Sequence, residues 1–112
     1  MLIDTITKTS FLDNRIIRES FTRESAILIF NYLDSDDQQE EFDPQNIASI
    51  YHEADIEELK SDYKFYDSIK EASTLEEIKE ELENYTHVLG ISEEYDFRTQ
   101  KTIRRLVFNS QF

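Results

Sequence analysis

Apolar residues recur with a helical period in the stretch 22–33. The residues that share one face, at i, i+3, i+4 and i+7, are Ala26, Ile29, Phe30 and Leu33. Thr22 is suited to accept hydrogen bonds from the free amides of the first turn, and Phe21 before it can pack on Ala26. We therefore predict a helix over 22–33 and expect the rest of the chain to pack around it.

Three further segments have helical start signals followed by apolar residues on one face, and they lie at 11–19, 56–66 and 75–85. Ser10 can cap the first of them. Asp55 stands three residues before Glu58, and Thr74 stands three residues before Glu77, which is the spacing of a capping box. In the last helix we expect Tyr85 to continue the buried stripe.

Strands are predicted at 2–6, 46–54, 87–91 and 102–108, with polar loops at 34–43 and 93–100. The apolar positions of 46–54 fit either period, and Pro44 before them favours a strand, because a proline disfavours helix in the residue that precedes it. The last two strands should pair as a hairpin. The prediction is one α+β domain over 1–112, with three to four helices on an antiparallel sheet of about three strands and 46–54 at its centre.

The composition indicates a folded protein rather than an acidic tail. Of the 112 residues 38% are hydrophobic, including eight Phe and six Tyr, which suffices for a core. Without cysteine the chain has no disulfide and no thiolate nucleophile. The sequence has no signal-peptide pattern and no apolar window of membrane-spanning length, so we expect a cytoplasmic protein.

The formal net charge is −13, and the charges are segregated along the chain. Residues 1–33 are neutral overall, 34–96 carry −17 and 97–112 carry +4. A field of this sign repels nucleic acids and anionic lipids and attracts basic partners. We therefore expect no direct contact with nucleic acid or membrane.

The sequence offers no recognisable catalytic or metal-binding motif. His52 and His87 lack a nucleophile in a typical sequence context, and the many carboxylates are not informative by their number alone. The tract that begins at Asp34 is similar to a calcium-binding loop, but it has Gln39 and Gln45 where such a loop needs glycine and glutamate. We expect no enzymatic activity, no cofactor and no dedicated metal site.

The acidic side chains are the candidate partner-binding residues. Carboxylates one helical turn apart are separated by about 6 Å, close to the spacing of about 6–7 Å between phosphates along a nucleic-acid strand. Such a surface can bind a basic protein in place of nucleic acid. The candidates are Asp34, Asp36, Asp37, Glu40, Glu41, Glu57, Glu58, Glu76, Glu77, Glu80, Glu81 and Glu83. The alternative is an adaptor or structural module whose acidity serves only solubility.

The basic residues of the C-terminal segment allow two interpretations. They are Arg98, Lys101, Arg104 and Arg105. They can balance acids of the same domain, or they can bind the acidic surface of a second copy and form a homodimer through the C-terminal strand.

Several residues at fixed spacings along this chain resemble the pattern of a known group of proteins. The frame F-T-x-E-S-A-x-x-I-F-x-Y-L at 21–33, the dipeptide Phe42-Asp43 and the ending Gln111-Phe112 are similar to those of small acidic proteins carried by phages and mobile elements of Firmicutes and other gut bacteria. Those proteins are similar in size and charge to phage counter-defence proteins of the anti-CRISPR type. The resemblance implies an α+β fold, a phage or mobile-element origin and no catalytic residues. With the charge, it predicts an inhibitor that binds a basic, nucleic-acid-targeting protein in the host cytoplasm.

Overall fold

Three antiparallel strands form the middle layer of the protein, with helices packed on both faces. The computed structural model describes residues 7–35 and 43–111. The helices are α1 (Lys8–Asp13), α2 (Arg15–Ser20), α3 (Arg23–Ser35), α4 (Pro44–Ile50), α5 (Ile56–Asp62), α6 (Asp67–Lys70) and α7 (Leu75–Leu82). The strands are β1 (Tyr51–Ala54), β2 (Val88–Asp96) and β3 (Lys101–Asn109), in the order β1-β3-β2. The α+β prediction is confirmed, with four helices of seven or more residues and three shorter ones in the described part of the chain.

The central strand β3 contributes to two hydrophobic cores. Leu106 and Phe108 pack among residues of α5, α6 and α7 on one face, whereas Val107 packs among residues of α1 to α4 on the other. Successive side chains of a strand point to opposite faces, so these three consecutive apolar residues reach both cores. All three are fully buried.

The predicted central helix is confirmed as α3. Ala26, Ile29, Phe30 and Leu33 are buried, and the ring of Phe30 lies 5.4 Å from that of Phe11. Burial of this face holds α3 against the sheet and against α1.

The helix predicted at 11–19 is instead two short helices. Asn14 has extended backbone angles between them, and its side chain accepts hydrogen bonds from the amides of Ile16 and Ile17. An asparagine that caps a second helix in this way interrupts the first. Thr7, rather than Ser10, caps α1.

The central strand predicted at 46–54 is helical over 46–50, and its extended part, 51–54, is not central. Asp43 accepts a hydrogen bond from the amide of Asn46 at 3.2 Å, and Pro44 occupies the first turn of α4, so the segment begins as a capped helix. Only β1 is extended, and it lies at an edge of the sheet.

The two helices predicted at 56–66 and 75–85 are confirmed but end earlier. The capping box of Asp55 and Glu58 is present with both hydrogen bonds. Thr74 accepts from the amide of Glu77, but the carboxylate of Glu77 accepts from Ser73 instead of closing the box. Tyr85 lies beyond α7 and is 48% exposed, contrary to the prediction.

The predicted hairpin is confirmed as β2 and β3, and it is longer than expected. Residues 93–96, predicted as loop, continue β2, and the turn comprises only 97–100. The strand continues to Asp96 because Tyr95 pairs with Thr102, and Asp96 with Lys101, across the ladder. The predicted strand at 2–6 and most of the predicted loop at 34–43 lie outside the described residues.

Candidate partner-binding surface

The acidic charge of the described residues is concentrated in one helical layer. Residues 55–83, which include α5, α6 and α7, contain eleven acidic side chains against four lysines, a net −7. The helices of the other layer, in 7–35 and 43–50, contain five acids against four bases, a net −1. Among the described residues, the charge is therefore segregated between the two helical layers.

Helix α7 presents its acids to solvent because its apolar residues occupy the opposite side. Leu75, Ile78 and Leu82 are buried against the sheet. The intervening positions 76, 77 and 80 are exposed glutamates, and Glu81 is half-buried. The spacing of the leucines and the isoleucine thus fixes the direction of the carboxylates.

A groove of about 550 Å³ lies where α5 and α7 begin, beside β3. Its lining includes Asp55, Glu57, Glu76 and Arg104. The structure therefore brings together two of the predicted partner-binding residues, Glu57 and Glu76, that are far apart in sequence.

Two of the four C-terminal basic residues pair with acids of this chain. Arg104 contacts Glu76 (Nη1 to Oε1, 2.7 Å) and Glu93 (Nε to Oε1, 3.5 Å). Arg105 contacts Glu94 at 3.5 Å. Arg98 in the turn between β2 and β3 and Lys101 at the start of β3 are exposed and have no ion pair within residues 7–35 and 43–111.

Several predicted partner-binding residues already have internal roles. Glu58 closes the capping box, Glu83 pairs with Lys79, and Glu81 accepts a hydrogen bond from the hydroxyl of Tyr85 at 3.3 Å. By contrast, Glu57 and Glu80 are exposed, and their carboxylates have no hydrogen bond or ion pair to another described residue. These two can contact a partner without losing an internal interaction.

Of the acids predicted in the tract at 34–41, the structure describes only Asp34. Asp34 is exposed near the end of α3, in the opposite helical layer. The positions outside the described residues are Asp36, Asp37, Glu40 and Glu41.

An aromatic cluster that the sequence analysis did not single out lies in the acidic layer. Phe65 is 72% exposed, and its ring lies 4.7 Å from that of Tyr66, which in turn lies 5.2 Å from Tyr85. Tyr63 completes the cluster and also contacts Phe108. The three aromatic residues within 63–66 were a signal in the sequence, but they were included in the predicted helix at 56–66.

The phenol of Tyr63 gives a prediction at alkaline pH. Burial, with the nearby carboxylate of Asp62, raises the pKa of Tyr63 above its ordinary value of 10.0. The folded protein then holds this proton more tightly than the unfolded chain, so the stabilisation is complete below about pH 10 and is lost as the pH rises through the folded pKa. We expect Tyr63→Phe to lose less stability above pH 10 than the wild-type chain, as measured by urea denaturation. Tyr95→Phe, at an exposed strand position, is the control, and an unchanged alkaline loss in Tyr63→Phe would contradict the prediction.

A buried polar network joins α3 to the sheet. The carboxylate of Glu53 in β1 accepts hydrogen bonds from the amide of Thr22 at 2.7 Å, the hydroxyl of Thr22 at 2.9 Å and the hydroxyl of Ser25 at 2.5 Å. The oxygen of Ser25 also lies 2.9 Å from that of Ser92 in β2. Ser25 is fully buried, so this serine–carboxylate pair holds the fold together and is not accessible to a substrate.

The two histidines lie outside this network. His52 packs edge-on against Phe108, and His87 stacks on Tyr32 with 4.6 Å between ring centroids. Among the residues that the structure describes, no three His, Asp or Glu side chains come close enough to hold a metal ion. No described helix has the length and apolar character required to cross a bilayer.

Comparisons with models of protein families, with curated proteins and with solved structures give no match to this chain.

Proposed function

We propose that this protein is an inhibitor of phage or mobile-element origin that binds a basic, nucleic-acid-targeting host protein through the layer of α5, α6 and α7. The observation that carries the proposal is the concentration of a net −7 in that layer, with Glu57 and Glu76 in one groove. The resemblance to small acidic phage proteins supports the choice of a nucleic-acid-targeting host protein as the partner.

The mechanism is electrostatic imitation of a nucleic acid. On α7, Glu76 and Glu80 are one helical turn apart, as are Glu77 and Glu81, which gives spacings of about 6 Å. A partner that binds phosphates with lysine and arginine meets a comparable array of negative charge here. Long-range attraction raises the association rate, and occupation of the basic groove excludes the natural ligand.

The experiment compares two double charge reversals of equal size. Glu57→Lys with Glu80→Lys changes the acidic layer at residues without internal partners. Asp13→Lys with Glu19→Lys makes the same change of net charge in the opposite layer, where both residues are exposed. We expect the first variant to bind the partner at least about tenfold more weakly at low salt, and the second to bind much as the wild type does.

The partner for this experiment is a nucleic-acid-binding protein retained from host cytosol on the immobilised wild-type chain. Its retention should fall steeply between about 0.1 M and 1 M salt, as the Debye length falls from about 10 Å to 3 Å. Duplex DNA should also compete for it. Binding that is flat with salt, or equal losses in both double variants, would argue against the proposal.

The aromatic cluster favours a second candidate, an adaptor that binds its partner by apolar contact. Phe65, at 72% exposure, is a large apolar side chain available to another protein. In that case Phe65→Ala would weaken binding at both salt concentrations, and the reversals at Glu57 and Glu80 would have little effect.

A further inference from the structure

About half of the central strand has an edge that no described strand covers, which we call the open edge. The four residues of β1 pair with Leu106–Asn109 of β3, after which the chain turns away into α5. Residues 101–105 of β3 pair with β2 on one side. On the other side, no described strand pairs with them.

The hydrogen-bond pattern identifies the backbone groups at that edge. The amide of Ser110 donates to Ile50 on the β1 side at 2.8 Å, and the amide of Asn109 donates to His87 on the β2 side at 3.0 Å. Backbone groups of an antiparallel strand alternate between its two neighbours. Therefore Arg105 and Ile103 bond towards β2, and the amides and carbonyls of Thr102 and Arg104 face the open edge.

The groove between α5, α7 and β3 runs along this same edge. Thr102, Ile103 and Arg104 form one wall, and the first residues of α5 and α7 form the other. Four residues of extended chain need about 13 Å of length at about 3.3 Å per residue. The uncovered residues 101–105 of β3 offer an edge at least that long.

The charge of the groove selects the kind of segment. Asp55, Glu57 and Glu76 stand against one cation, Arg104, which is already paired with Glu76. The exposed carboxylate of Glu57 has no partner among the described residues. Lysine or arginine side chains on an incoming strand would offset this negative charge, whereas an acidic strand would be repelled.

We propose that an extended, basic segment of the partner protein adds to the open edge of β3 as a further strand. Its backbone exchanges hydrogen bonds with Thr102 and Arg104, and its basic side chains face Glu57 and Glu76. This inference rests on the proposed function, since it specifies how a basic partner docks on the acidic layer.

The probe is a six-residue peptide of alternating lysine and valine, blocked at both ends. Its affinity is measured by titration, and the exchange of individual backbone amides is followed by NMR with and without the peptide. We expect exchange at Thr102 and Arg104 to slow by at least about tenfold in the complex. Two further peptides carry N-methyl groups on alternate residues, one on the odd positions and the other on the even positions. We expect one of them to bind more weakly than the other, because only one edge of the added strand makes backbone hydrogen bonds to β3.

A pair of proline variants tests the same edge in the protein. Thr102→Pro removes an amide that faces the groove and leaves the ladder to β2 intact, which is where proline is tolerated in sheets. Tyr95→Pro is the matched control, since Tyr95 lies directly opposite Thr102 and its amide faces the outer edge of β2. We expect Thr102→Pro to weaken peptide binding about fivefold and Tyr95→Pro to leave it unchanged.

The outcomes separate this inference from the proposed function. Salt-dependent binding of the peptide without protection of Thr102 and Arg104 would overturn strand addition and leave the electrostatic proposal standing. No binding of the peptide, or amides at 102 and 104 that are already protected in the free protein, would also overturn strand addition. The proposed function fails separately, if the captured host protein is insensitive to reversal of Glu57 and Glu80.

Discussion

Replacing Phe108 with alanine is expected to lower the free energy of unfolding by about 3–5 kcal/mol. Phe108 is fully buried in the central strand, and its ring lies 6.2 Å from that of Tyr63 and 5.8 Å from that of His52. Truncation removes these contacts and leaves a cavity between the sheet and the acidic layer. Natural domains are stable by only about 5–15 kcal/mol, so the variant loses a large share of the total.

Urea denaturation, monitored by circular dichroism, measures this loss. Phe97→Ala is the control because Phe97 is 84% exposed in the turn between β2 and β3, and its removal should change stability by no more than about 0.5 kcal/mol. If Phe108→Ala unfolds at the same urea concentration as Phe97→Ala, then Phe108 does not occupy the core described here.

Replacing Glu53 with alanine is expected to cost about 2–3 kcal/mol, although glutamate is a charged residue. The change leaves the amide of Thr22 and the buried hydroxyl of Ser25 without their acceptor, and such groups are costly when water cannot reach them. The network also fixes the start of α3 against β1, so its loss loosens the contact between helix and sheet.

Glu53→Gln separates the loss of hydrogen bonds from the loss of charge. Glutamine keeps the size of the side chain and one accepting oxygen, so we expect its cost to be smaller than that of alanine in the same urea titration. Equal stabilities of the alanine variant and the wild type would show that the network does not hold α3 on the sheet.

The parts of the fold that could be predicted from the sequence are those that local chemistry determines. The start of α5 depends on Asp55 and Glu58 alone, and both hydrogen bonds of the capping box form within four residues. The buried face of α3 follows from its apolar period. Neither of these two predictions requires knowledge of what the helix packs against.

The prediction at 46–54 failed because one signal has two meanings. Pro44 disfavours helix before itself, but it is also well suited to the first turn of a helix that Asp43 caps. The predicted strand at 46–54 rested on the first meaning alone. The dipeptide Asp43-Pro44, considered as cap and first position, would have indicated α4.

The sequence also contained a signal that β3 is buried on both faces. Leu106, Val107 and Phe108 are three consecutive apolar residues, and such a run indicates a strand buried on both sides. The prediction of a strand at 102–108 did not use this signal. As a result the fold prediction put helices against a sheet and did not place them on its two faces.

For the candidate site, the outward direction of the acids on α7 could be predicted, but the groove could not. The period of Leu75, Ile78 and Leu82 is sufficient to place the glutamates in solvent. The groove exists because β1 ends before it covers residues 101–105 of β3. It also requires that α5 and α7 begin beside those residues. These are long-range relations between segments that no local pattern encodes.

The position of β3 between its two neighbours has a consequence for the order of folding. β2 is joined to β3 by a turn of four residues, whereas the residues of β1 and β3 that pair are more than fifty positions apart. Closure of a short loop is fast, and a hairpin forms in about 1–10 μs, so β2 and β3 can associate before β1 arrives. Both cores need residues 106–108 of this hairpin, so we expect each helical layer to become stable only after β2 and β3 have associated. Neither helical layer is then a stable folding intermediate by itself.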